Sequence, residues 1–96
     1  MVVSLVQFII YLPDATNLKE KRSTVQSLTK RLQNKYKITA AEIDLQESTL
    51  YSQVGAALVS NSKKYGDQVV QKVIAFVEDE IPGRIYDIST HTEFYD

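Results

Sequence analysis

Apolar and polar residues follow two rhythms along this chain, and the changes from one to the other mark six elements. The run from Val2 to Leu12 is rich in Val, Ile and Phe and is closed by Pro13-Asp14, which predicts a strand. One of its faces carries Val2, Ser4, Val6, Phe8, Ile10 and Leu12, the other Val3, Leu5, Gln7, Ile9 and Tyr11. Both are largely apolar, so this strand is expected inside a sheet, covered on both sides or nearly so. Leu18, Val25, Leu28, Leu32 and Tyr36 then recur at helical spacing. Asn17 is the expected N-cap, and Glu20 stands three residues on, where its carboxylate can reach back to the cap amide.

The rhythm returns to alternation from Ile38 to Gln46. Thr39, Ala41, Ile43 and Leu45 point one way and Ala40, Glu42, Asp44 and Gln46 the other, which predicts a half-exposed strand. Leu50 to Val59 forms the next strand, with Gly55 as a bulge or a point of close approach. Ser60-Asn61-Ser62 offers N-caps for a second helix, whose buried stripe is Val69, Val73, Phe76 and Val77 and whose end is set by Pro82-Gly83. Ile85 to Tyr95 closes the chain as a strand with Tyr86, Ile88 and Phe94 on one face and Asp87, Ser89, His91 and Glu93 on the other.

The order β-α-β-β-α-β predicts a single α+β domain over residues 1–96. It is a ferredoxin-like four-stranded antiparallel sheet with both helices on one face. Right-handed crossovers leave few other arrangements. The face away from the helices would then show Val3, Leu5, Ile9 and Tyr11, too apolar for open water, and this is the expected interface, most simply with a second copy of the chain.

Composition narrows the classes. A chain of 96 residues builds one modest core. No apolar run approaches the ~20 residues of a membrane-spanning helix. Met1-Val2-Val3-Ser4-Leu5-Val6 does not read as a signal peptide. The absence of cysteine excludes disulfides, thiolate metal sites and a Cys nucleophile, and fits a cytoplasmic protein.

Candidate chemistry is sparse. The strand from Leu50 to Ala57 lacks the aromatic run of RNA-recognition domains. The turn Leu12-Pro13-Asp14-Ala15-Thr16-Asn17 has neither the Gly nor the Arg of an acylphosphatase cradle, and no phosphate-binding glycine motif occurs. His91, the only histidine, is expected on a solvated strand face. Glu42, Asp44 and Gln46 share a strand face and make a possible polar site, though a solvated face accounts for them as well. Neither a metal nor a cofactor is expected.

Charge is laid out unevenly. Between Lys19 and Lys37 lie seven basic residues and one acid, a balance of +6; the rest of the chain carries −7, for a net charge of −1. Lys19, Lys21 and Arg22 stand in the first turn of the first helix, where the helix dipole already favours anions, so local stability does not call for them. They form a candidate anion site, with RNA phosphate as the ligand, though basic side chains that solvate the helix and cover apolar surface with their stems account for them as well.

Three groups of residues together resemble a known family: Leu18-Lys19-Glu20-Lys21-Arg22-Ser23; Ala41-Glu42-Ile43-Asp44 with Gln46; and Gly55 with Val59-Ser60-Asn61. The chain is similar over nearly its whole length to the YlxP-like proteins, domain of unknown function family 503. The resemblance implies a small bacterial protein of ferredoxin-like fold, without established enzymatic activity, associated with the ribosome or its RNA. After Asp44 the family often has His, then Gln-Asp and an aromatic residue, where this chain has Leu45, Gln46-Glu47 and Thr49. The expected function is therefore a non-enzymatic, ribosome- or RNA-associated role with ribosomal RNA or a subunit as partner. The alternatives are a homodimeric interaction module using the open sheet face and a small-ligand sensor using Glu42, Asp44 and Gln46.

Overall fold

A computed structural model describes all 96 residues. The elements run β1 (Val2–Tyr11), α1 (Leu18–Tyr36), β2 (Thr39–Asp44), β3 (Tyr51–Ser60), α2 (Lys63–Glu80) and β4 (Arg84–Phe94). The strands form one antiparallel sheet in the order β2-β3-β1-β4, the expected ferredoxin-like arrangement.

The core lies between the sheet and the two helices. Val6, Phe8 and Ile10 of β1 and Val54 and Ala56 of β3 meet Val25, Leu28 and Leu32 of α1 and Val69, Val70, Val73 and Val77 of α2. Alternation along each strand puts these residues on one side. Burying this apolar surface is the main force that holds the helices to the sheet. The opposite side of β1 is only half-buried at Val3, Leu5, Ile9 and Tyr11, so the strand is covered on one face and open on the other.

Local chemistry sets the helix ends. Asn17 caps α1 by accepting from the Glu20 amide at 2.9 Å. The Glu20 carboxylate does not return to the Asn17 amide; it accepts from the Thr16 hydroxyl at 2.5 Å, so the reciprocal box closes one residue earlier than expected. Lys37 ends α1 in the left-handed conformation, φ 55°, and its amide donates to the Gln33 carbonyl. Ser62 caps α2 through the Tyr65 amide.

Two details depart from simple alternation. β3 pairs with β1 in unbroken register from Tyr51 opposite Tyr11 to Ser60 opposite Val2, so Gly55 is not a bulge. It is a point of close approach, where a Cβ would sit 3.2 Å from the Ile43 side chain. The irregularities lie in the two edge strands instead: the register of β2 with β3 shifts between Glu42 and Asp44, and that of β4 with β1 shifts between Ile9 and Ile10. The shift in β4 turns Tyr86 away from the face of Ile88 and Phe94 and brings its ring against Tyr51.

Candidate functional site

The basic residues of the first turn of α1 take three separate courses. Lys21 is wholly buried, with its side chain 0% exposed. Its ammonium donates to Glu42 Oε2 at 2.9 Å and to the carbonyls of Leu45 at 2.9 Å, Gln46 at 3.2 Å and Tyr51 at 3.3 Å. Three ammonium N–H groups shared among four internal acceptors leave none for a ligand. Lys21 therefore does not join Lys19 and Arg22 in a surface cluster as the sequence suggested. Lys19 is exposed and makes no ion pair, while Arg22 reaches Glu47 at 3.6 Å across open solvent.

The reason is visible in the helical spacing. Lys21 falls on the same stripe as Leu18, Val25, Leu28 and Leu32, so its stem enters the core and only its head group needs polar partners. The loop after β2 supplies them. Leu45 adopts φ 62° and, with Gln46, turns its carbonyl toward the ammonium.

This arrangement also disperses the expected polar site. The Glu42 carboxylate faces the helices, paired with Lys21 and accepting from the Ser52 hydroxyl at 2.5 Å. Asp44 accepts from the adjacent Leu45 amide at 2.7 Å, beyond the register shift between Glu42 and Asp44. Gln46 contributes its backbone carbonyl to Lys21. The three side chains do not converge, and no group of three or more His, Asp or Glu residues is placed to hold a metal. His91 is exposed and pairs with Glu93 at 2.7 Å. No helix is long and apolar enough to cross a membrane.

Unpaired positive charge gathers elsewhere, on the outer side of the helix layer. Lys30, Lys35 and Lys37 of α1 and its C-cap, and Lys64 and Lys72 of α2, are exposed and outside every ion pair. At the junction of the helices, Tyr36 meets Phe76 edge to face, with centroids 5.8 Å apart. The Lys35 ammonium stands 5.3 Å from the Phe76 ring, and Arg31, paired with Glu80, stands 5.7 Å from it. The Tyr36 hydroxyl donates to the Lys72 carbonyl at 3.4 Å, and partial burial raises its pKa above the usual 10.0. The outer face of α2 continues this surface with Lys63, Lys64, Gln68, Gln71 and Lys72, interrupted by Asp67, which pairs with Lys63.

The sequence showed the density of cations but not this centre. Its signal is the pair of aromatic residues, Tyr36 and Phe76, that antiparallel helices bring together beside Lys35.

The open sheet face carries two apolar islands divided by polar residues. Leu5, Ala41, Ile43 and Ala57 surround Gly55 in a shallow depression of about 250 Å³. At the other end Tyr11 and Tyr51 lie 5.1 Å apart, Tyr86 stands against Tyr51, and the Arg84 guanidinium covers Tyr11 at 5.3 Å. Gln7 and Gln53, hydrogen-bonded at 3.1 Å, lie between them.

The model of the family "Protein of unknown function (DUF503)" matches residues 3–90. The uncharacterized protein YlxP of Bacillus subtilis (strain 168) is 37% identical over 87 residues, covering 91% of this chain and 90% of that one. Among solved structures, a de novo designed protein with ferredoxin fold superposes with a TM-score of 0.56 at 10% identity. It covers 97% of this chain and 83% of the designed one. The protein At3g17210 of Arabidopsis thaliana gives a TM-score of 0.56 at 9% identity, covering 98% and 95%. At such identities these two likenesses concern the fold alone.

Proposed function

From the membership of this chain in the DUF503 family, and from the surface described above, we propose that it is a non-enzymatic RNA-associated protein that holds phosphate through its helix layer, with ribosomal RNA as the ligand. The observation that carries this reading is the set of unpaired, exposed cations on the helix layer, Lys30, Lys35, Lys37 and Lys72, of which Lys35 stands against the Phe76 ring. Each would release a counterion from an RNA backbone on contact. Lys19 and Arg22 extend the positive surface along α1, while Lys21 serves the fold.

Co-sedimentation with ribosomal subunits over a salt series tests the reading. Binding at low salt that weakens steadily as salt rises supports it. Absence of salt-sensitive binding to subunits and to purified ribosomal RNA refutes it.

The open sheet face supports a second reading, a protein-interaction module. Ile43 and Tyr86 are exposed there beside the half-buried Val3, Leu5, Ile9 and Tyr11. Lysine at Leu5 and Ile9 would abolish docking through this face.

A further inference from the structure

We infer that the free edge of β4 pairs with β4 of a second copy of this chain, joining the two sheets into one about a two-fold axis at Ser89. A strand edge presents unpaired amides and carbonyls, and folds blunt such edges with short length, charge, proline, bulges or a covering segment. The two edges of this sheet are treated differently. β2 has six residues, carries Glu42 and Asp44 at an irregular step, and is met by Gln33 of α1, whose amide donates to the Ala40 carbonyl at 2.7 Å. β4 has eleven residues, its stretch from Ile85 to Phe94 contains neither lysine nor proline, and every residue from Tyr86 to His91 is exposed. Its one irregularity lies near its first residues.

The occupant follows from the strand's own side chains. Antiparallel pairing about Ser89 sets Ser89 against Ser89, Ile88 against Thr90 and Asp87 against His91, and the two-fold repeats each of the latter contacts. Asp87, Ser89 and His91 share the open face, opposite Ile9, Gln7 and Leu5 of β1, so a carboxylate meets an imidazole on each side of the axis. Ile88 shares the helix side with Thr90, opposite Phe8 and Val6.

Neighbouring axes are poorer. An axis at Thr90 sets Asp87 against Glu93, two like charges, and an axis at Ile88 shortens the regular stretch to Asp87–Ser89. Pairing about Ser89 also brings the second copy's Ile88, 36% exposed in the single chain, to the mouth of the groove between α2 and β4. That groove is lined by Val70, Gln71, Thr90 and Thr92.

Sedimentation equilibrium of the full chain tests this. The expected result is a dimer that becomes monomeric in His91→Glu, where Asp87 faces a like charge, and is restored in the double variant Asp87→Lys, His91→Glu. His91→Glu also separates Glu93 from its own partner, so its thermal melt is compared with that of the parent to confirm folding. Because the chain has no cysteine, Ser89→Cys should cross-link to itself on mild oxidation, whereas Ser23→Cys on the exposed side of α1 should not. A wild-type chain that stays monomeric up to about 1 mM overturns the inference. So does a dimer that survives His91→Glu, or one that Ser89→Cys does not cross-link.

Discussion

The Lys21 ammonium and the Glu42 carboxylate stand 2.9 Å apart, the first wholly enclosed and the second 15% exposed. They join the start of α1 to β2, and through the Leu45, Gln46 and Tyr51 carbonyls the same ammonium fixes the β2–β3 loop. Removing one partner of such a pair strands the other without compensation and costs about 3–5 kcal/mol, whereas replacing both by apolar groups of similar volume costs far less. Lys21→Met and Glu42→Leu should each lower stability by about 3 kcal/mol, and the double variant by clearly less than the sum. Urea unfolding of the four proteins measures the coupling; strict additivity would mean that the pair is not energetically joined.

The Ser4 hydroxyl is buried with no hydrogen-bond partner, and it lies where a side chain on Gly66 would be. Ser4→Ala removes an unsatisfied polar group and should raise stability by about 1 kcal/mol. Gly66→Ala forces a methyl group against Ser4 and should cost about 1–3 kcal/mol, with part of that cost recovered when Ser4→Ala is present. Melting curves of the single and double variants read the relief directly.

Asn17 receives the Glu20 amide at 2.9 Å, one of the free donors at the start of α1. Asn17→Ala should cost about 1 kcal/mol and Asn17→Ser almost nothing, since serine caps equally well. Chemical denaturation separates the two.

Tyr36 holds its proton to higher pH in the folded state than in the unfolded chain, because partial burial disfavours the phenolate. Its contribution is therefore complete below about pH 10 and is lost as pH rises through the folded-state value. Tyr36→Phe should melt less steeply with pH above 10 than the parent. Identical pH profiles for the two proteins would assign the alkaline loss to other groups.

The elements were legible because each rests on a local period. β1 and α1 announce themselves by alternation and by the stripe from Leu18 to Leu32, and Pro82-Gly83 limits α2 in both readings. Misreadings came where one side chain must be followed through space. Lys21 counted as surface charge because lysine usually is, yet its place between Leu18 and Val25 on the buried stripe already pointed inward. Glu42 likewise shares its face with Ala40, which is buried. Tyr86 could not be placed from alternation, since the shift that brings it to Tyr51 arises from pairing with β1 and leaves no mark in β4 alone. The meeting of Tyr36, Phe76 and Lys35 depends on the packing of two helices far apart in the sequence.

On the proposed reading phosphate is held by the helix layer and not by Lys21. The measurement that tests it most directly is the salt dependence of binding to a ribosomal RNA fragment for the parent, for Lys35→Glu with Lys72→Glu, and for Lys21→Met, all at a temperature where each is folded. The slope of log K against log salt should fall by about 2 in the helix-layer variant, one for each lost contact, and be unchanged in Lys21→Met. An unchanged slope in the helix-layer variant, or a loss of binding confined to folded Lys21→Met, would contradict that reading.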